Sequence, residues 1–167
     1  MAVTTEQIKA LREETGAGVM DAKRALEEAN GDAARAREIL REKGVAAAAK
    51  RADRETSNGV VESYIHAGGR IGVLVEINCE TDFVANTDDF RSLARNIAMQ
   101  IAAMNPAVVS PEDRTAVHEG SDEEVCLVKQ PFIRDPGRTI GDLIHDAVAK
   151  TGENIRVRRF VRFELGR

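Results

Sequence analysis

The sequence predicts an α+β protein, an N-terminal three-helix bundle followed by a small antiparallel sheet packed with helices. Two observations carry this reading. Apolar residues recur at helical spacing up to about residue 44, and after Gly59 the period drops from 3.6 to 2. Ile71, Val73, Val75, Ile77 and Cys79 then alternate without a break, the pattern of a strand with one buried face. Composition removes several classes. With 24 Lys+Arg against 28 Asp+Glu, the chain is mildly acidic, which argues against direct nucleic-acid binding. No apolar run approaches the roughly 18 residues of a membrane span, and MAVTTEQIKA is not a signal peptide. Two cysteines are too few for a disulfide framework and fit a reducing cytoplasm.

The elements follow in order. Thr4 and Gln7 form a capping-box pair ahead of Ile8 and Leu11, and Gly16 marks the stop of that helix. From Gly18 to Ala29, Val19, Ala22, Leu26 and Ala29 share one helical face. Asn30-Gly31-Asp32 ends that helix and caps the next, which uses Ala33, Ala36, Ile39 and Leu40 and closes at Gly44. Residues 1–44 therefore read as a three-helix module. Residues 45–57, Ala-rich and then charged, read as a partly helical linker. Charge is balanced over the first 55 residues, so the net −4 falls on the remainder.

Residues 58–167 read as the α+β core. Gly59 to His66 is a second strand candidate, joined to the first by a hairpin at Ala67-Gly68-Gly69-Arg70. Phe90, Leu93, Ala94, Ile97, Ala98, Ile101 and Met104 mark a long amphipathic helix that Asn105-Pro106 stops. Residues 106–137 hold all four prolines and an acidic stretch, and read as loop-rich. Thr139 and Asp142 cap a further helix that ends at Gly152. The chain closes on a strand with Ile155, Val157, Val161, Phe163 and Leu165 at one parity. Arg156, Arg158 and Arg162 share the other parity with Phe160 and Glu164, which reads as a solvated sheet face.

No catalytic constellation emerges. There is no P-loop, no GxGxxG after a strand, no CxxC, HExxH or GxSxG. His66, His118 and His145 lie far apart without ligand spacing, so no metal site or cofactor is expected. A Cys79 nucleophile with His66 as base fails on geometry. The hairpin pairs His66 with Ile71, which puts Cys79 roughly 26 Å away at about 3.3 Å per residue. Cys79 reads as a packed core thiol, and Cys126 leaves an intersubunit role open. The segment that stands out is Glu80-Thr81-Asp82-Phe83-Val84-Ala85-Asn86, which places Phe83 in what should be a polar connection. Phe83 either folds back into its own core, with Asp82 or Thr87 capping the next helix, or stands out as a wedge for a partner.

Two motifs bring in a family. Leu11-Arg12 followed by Thr15-Gly16-Ala17-Gly18-Val19-Met20-Asp21-Ala22-Lys23-Arg24-Ala25-Leu26 resembles the N-terminal signature of the bacterial elongation factor Ts family. Glu76-Ile77-Asn78-Cys79-Glu80-Thr81-Asp82-Phe83-Val84-Ala85-Asn86 is similar to its second signature, and the stretches around Gln130-Pro131-Phe132 and Val161–Gly166 resemble its C-terminal part. The resemblance implies a guanine-nucleotide exchange factor, not an enzyme, acting on elongation factor Tu in the cytoplasm. It implies a ubiquitin-associated-like N-terminal module that docks on the GTPase domain of that partner, with Leu11, Arg12, Thr15, Gly16, Gly18, Val19 and Met20 at the matching positions. It also implies that Thr81, Asp82, Phe83 and Val84 dislodge Mg²⁺ from the partner, Phe83 acting as the wedge. Longer members carry a second core subdomain, which meets the partner's third domain, and a helical hairpin. This chain is too short for both and resembles the short form, in which a homodimer is expected to rebuild the missing surface. A ubiquitin-associated-type adaptor without exchange activity is the alternative.

Overall fold

The computed structural model describes residues 3–167, so Met1 and Ala2 of the anticipated module lie outside the described residues. The chain divides into two compact units. One takes the described residues up to Asp53 together with His145–Glu153, and the other takes Arg54–Ile144 with Asn154–Arg167.

In the first unit, helix α1 (Thr5–Thr15) opens on a reciprocal capping box. The Thr4 hydroxyl accepts from the Gln7 N–H at 3.2 Å, and the Thr4 N–H donates to Gln7 Oε1 at 2.9 Å. Gly16 ends α1 in the left-handed region (φ +70°), its N–H bonded to the Arg12 carbonyl at 2.8 Å. Helix α2 (Val19–Glu28) follows, and Asn30 and Gly31, both with positive φ, reverse the chain. Asp32 then caps helix α3 (Ala33–Ala49) by accepting from the N–H groups of Ala34 and Arg35. The core is made of small and aliphatic residues: Leu11, Ala22, Ala25, Leu26, Ala36 and Ile39, flanked by Val3, Ile8 and Leu40. Val19 departs from the expected buried face. It is exposed, and the apolar stripe of α2 begins one turn later at Ala22.

Gly44 is the second departure. It does not close α3, which runs through it to Ala49 and takes in the first third of the anticipated linker. Its backbone stays helical and its position is buried. A side chain there would meet the His145 carbonyl and the Ala149 Cβ within 4 Å. Those distances are ordinary van der Waals contact, so Gly44 is a packing position between α3 and the later helix α7 (Ile140–Thr151), whose residues from His145 on belong to this unit, and not a place that only glycine fits.

In the second unit, strands β1 (Asn58–Ile65), β2 (Ile71–Cys79) and β5 (Arg156–Glu164) form an antiparallel sheet in the order β1-β2-β5. The hairpin register is the one the turn arithmetic requires. His66 donates its N–H to the Ile71 carbonyl, and pairing continues outward until Asn58 faces Cys79. After the four-residue helix α4 (Asp82–Ala85), helix α5 (Asp88–Met104) covers one sheet face. Phe90, Leu93, Ala94, Ile97, Ala98 and Ile101 on α5 are buried, as are Val73, Val75 and Ile77 on β2. Burying side chains of this size contributes about 1.5–3 kcal/mol each for the larger ones. Asn105, in the left-handed region, ends α5 ahead of Pro106.

The loop-rich stretch is more structured than its composition suggests. It holds short turns at Pro111–Asp113 and Leu127–Lys129, helix α6 (Asp122–Val125) and a small hairpin of β3 (Pro131–Phe132) and β4 (Asp135–Thr139). Two fully buried amides tie it to α5. Gln100 donates to Gln130 Oε1 (3.2 Å) and to the Pro131 carbonyl (3.1 Å), and its own oxygen accepts from the Ile133 N–H (3.0 Å). Gln130 donates in turn to the Glu124 carbonyl at 3.0 Å. Cys126 is fully buried beside α6, and burial pushes its thiol pKa up, so it is not placed for the intersubunit role left open above. Thr139 and Asp142 cap α7 reciprocally, as expected.

The last strand corrects the sequence reading. Between Glu76 and Ile77 of β2 the register of β5 slips: Glu76 faces Arg159 while Ile77 faces Val157, leaving Arg158 as an extra residue. The bulge reverses the parity that follows. Ile155 and Val157 point into the core, whereas Val161, Phe163 and Leu165 are exposed on the opposite face. Arg162, expected on a solvated face, is instead largely covered on the α5 side. Its Nε donates to the Ala102 carbonyl at 3.2 Å and its Nη1 to Glu164 at 2.8 Å.

Gly59 in β1 has φ +148°, and a Cβ there would lie 2.1 Å from the Ile77 carbonyl oxygen of β2. Gly59→Ala is therefore expected to destabilise the second unit by at least about 2 kcal/mol, combining backbone strain and a clash the neighbouring strand cannot relieve. Chemical denaturation checks this, and an unchanged midpoint would contradict the strand spacing described.

Candidate functional site

The site is built on the end of β2, the central strand. Asn78 and Cys79 are buried there, with the Cys79 thiol donating to the Thr81 carbonyl at 3.1 Å. Thr81 is extended (φ −127°, ψ 157°), and its hydroxyl accepts from the Val84 N–H at 3.4 Å, capping α4. Ala85 is the buried residue of that turn. Thr87 then works twice. Its hydroxyl donates to the Val84 carbonyl at 2.8 Å and accepts from the Phe90 N–H at 3.2 Å, which caps α5. Between these two caps the chain has little freedom. Of the two candidates, Thr87 rather than Asp82 caps α5.

Phe83 does not fold back. It is 82% exposed, whereas Phe90 and Phe132 are buried. Asp82 beside it is also exposed, and Val84 is half-buried. A large ring held out on a capped turn is a side chain available to another molecule, and it stabilises nothing in its own fold. The fold-back alternative is excluded.

The other group lies in the first unit, on α1, α2 and the turn between them. Arg12, Gly16, Gly18, Val19 and Met20 are exposed. Thr15 turns its hydroxyl inward to the Leu11 carbonyl (2.7 Å) and accepts from the Ala17 N–H (3.3 Å), which shapes the turn. Leu11, unlike these exposed positions, is buried in the helical core. Val19 and Met20 leave an apolar first turn of α2 in solvent, a surface that the helical core does not use.

A third surface was not legible in the sequence. The sheet face away from α5 carries Val61, Ile65, Leu74, Val161, Phe163 and Leu165, all exposed, with Phe163 at 69%. Gly72 sits between Ile65 and Phe163 in the pairing. At one end of this face Glu76 accepts from Arg159 Nε (2.8 Å) and Arg158 Nη1 (3.3 Å). Bonds from Arg159 and then from Asn78 hold the Glu76 carboxyl below the usual carboxylate range. The signal for this surface is a bulge, which alternation alone does not reveal.

The sequence model of the family described as Elongation factor TS matches residues 3–119. The chain belongs to the elongation factor Ts family. Among its relatives, Elongation factor Ts of Carboxydothermus hydrogenoformans is 55% identical, covering 98% of this chain and 89% of that protein. Elongation factor Ts of Thermoanaerobacter sp. (strain X514) is 50% identical, covering 98% and 95%. That of Moorella thermoacetica is 50% identical, covering 98% and 96%. These alignments run over 194 positions against 167 residues here, so the relatives carry internal residues that this chain lacks. Membership makes this a translation elongation factor, one that acts in protein biosynthesis. Among the described residues, no helix is long and apolar enough to cross a membrane.

The exposed ring and the cap separate cleanly in stability. Phe83→Ala is expected to shift unfolding free energy by no more than about 0.5 kcal/mol. Thr81→Ala is expected to cost about 1 kcal/mol and to raise amide exchange over Asp82–Ala85. Denaturant melts with hydrogen-exchange mass spectrometry read both, and a strongly destabilising Phe83→Ala would return the ring to a structural role.

Proposed function

We propose that this protein is a guanine-nucleotide exchange factor that binds elongation factor Tu carrying GDP and promotes its replacement by GTP. The observation that supports this best is Phe83, a fully presented aromatic ring on a turn capped by Thr81 and followed at once by the Thr87 cap. Thr81, Asp82, Phe83 and Val84 enter the partner's GTPase domain near its Mg²⁺. The exposed Arg12, Gly16, Gly18, Val19 and Met20 surface docks on the same domain.

The physics is electrostatic. GDP is held by Mg²⁺ bridging its phosphates and by backbone donors around them. A ring that displaces the metal-binding elements removes a divalent charge from beside the phosphates, and GDP leaves faster. Coupling is reciprocal, so the factor by which this protein weakens GDP binding is the factor by which GDP weakens its own binding. The prevailing ratio of GTP to GDP sets the direction of exchange. No covalent bond is made or broken, so the protein is not an enzyme, and its own chain needs no cofactor.

Stopped-flow release of a fluorescent GDP analogue from elongation factor Tu at fixed Mg²⁺ tests the reading. Wild type is expected to accelerate release, and the Asp82→Ala/Phe83→Ala variant to lose at least about tenfold of that acceleration while still binding. Unchanged release with wild type would sink the exchange reading and leave an adaptor of the ubiquitin-associated type.

The second part of the proposal is a homodimer. The apolar sheet face of Val61, Ile65, Leu74, Val161, Phe163 and Leu165 is the surface a second copy covers, sheet on sheet. At one end of that face a single Glu76 pairs with both Arg158 and Arg159, which leaves a net positive charge there, so the apolar residues rather than this end carry the contact. The joined cores supply the surface for the partner's third domain. Sedimentation at micromolar concentration is expected to give a dimer mass for wild type and a monomer for Phe163→Glu. A monomeric wild type with full exchange activity would overturn it.

A further inference from the structure

We infer that Glu80 is a positioning residue for the Thr81–Val84 turn, one that clamps the turn to the places where the chain enters the second unit; this rests on the exchange reading above. Phe83 is 82% exposed, so its position is set chiefly by the residues that flank it. On the carboxyl side the two hydrogen bonds of the Thr87 hydroxyl and α5 do that work. On the amino side the flank is Glu80, between the last residue of β2 and the Thr81 cap.

Glu80 is bonded on both its side chain and its backbone. Its carboxylate Oε1 accepts from the Asn154 backbone N–H at 2.6 Å and from Arg54 Nη1 at 3.5 Å. Its carbonyl accepts from Asn58 Nδ2 at 2.9 Å. Asn154, itself buried, donates its side-chain amide to the Arg54 carbonyl at 2.9 Å, and Asn78 Nδ2 donates to the Asn58 carbonyl at 3.3 Å. Three chain segments far apart in sequence therefore meet at one carboxylate. The short bond from a backbone N–H to an ionised acceptor is of the stronger, charge-assisted kind.

The choice of segments is informative. The chain passes between the two units at three places, and Arg54 and Asn154 are the first residues of the second unit at two of them. The residue before the wedge thus holds both of those entry points. A wedge acts by rigid placement, so loosening its root costs the displaced-metal state more than it costs docking, which the exposed surface of the first unit supplies.

The test uses full-length Glu80→Ala and Glu80→Gln in the GDP-release assay, titrated to saturation, with amide exchange in parallel. Glu80→Ala is expected to lower the maximal release rate by about tenfold while moving the half-saturating concentration by less than about threefold. Glu80→Gln keeps an acceptor for the Asn154 N–H and is expected to recover most of the rate. Amide exchange over Thr81–Asn86 and at Asn154 is expected to rise in the alanine variant. A wild-type maximal rate in Glu80→Ala overturns the inference, as does a loss shared equally by rate and affinity. If Glu80→Ala does not fold, Arg54→Ala and Asn58→Ala, which each remove one bond to Glu80, carry the same comparison, and wild-type maximal rates in both overturn it. If wild type itself releases no GDP, the exchange reading has failed, and unchanged protection of Thr81–Asn86 would then refute the clamp independently.

Discussion

The structure depends on the register of one strand. β2 is central, paired on one side by a tight hairpin and on the other by the returning last strand. Up to Ile77 its side chains alternate between a face sealed by α5 and a less buried face that carries Leu74 and Glu76. A slip of a single residue would exchange those two sets and turn the buried thiol of Cys79 outward. The hairpin at Gly68-Gly69 prevents this, because the turn leaves only one way to match His66 with Ile71. Everything at the far end of the strand, including the exposed aromatic ring, takes its place from that match.

The same strand explains how an exposed aromatic residue is tolerated. A ring in water contributes nothing to folding, and its place has to be held by neighbours that do contribute. Buried Asn78, Cys79 and Ala85, together with the caps from Thr81 and Thr87, fix the backbone on both sides within a handful of residues. The helical unit shows the same division of labour. Leu11 and Ala22 lie in its core, while Arg12, Val19 and Met20 next to them in sequence face solvent. In both places the recognisable motif mixes residues that build the support with residues that stand on it.

The elements legible in the sequence were those with strong local signals. Reciprocal caps at Thr4–Gln7 and Thr139–Asp142, the period-two run of β2 and the double glycine of the hairpin each rest on contacts within a few residues. What was not legible depends on distant partners. Gly44 reads as a stop in isolation, and only the approach of α7 shows that it is a packing position. The β5 bulge, which leaves Arg158 as an extra residue opposite another strand, moves Val161, Phe163 and Leu165 to the opposite face. The exposure of Phe83 was legible only as one of two alternatives, because the sequence does not say whether a loop aromatic has room to fold inward.

The attachment of residues 106–137 to the main helix has a consequence of its own. Gln100 and Gln130 are fully buried and carry no charge, and they meet carbonyls, an N–H group and each other. Neutral amides neither titrate nor attract counterions. This joint should therefore hold equally well in acid and in concentrated salt, whereas the contacts of Glu76 with Arg158 and Arg159 weaken under both. The molecule thus fastens its irregular segment to the main helix with chemistry that is indifferent to the surrounding solution, while an ion pair such as Arg114 with Asp122 acts only within the segment.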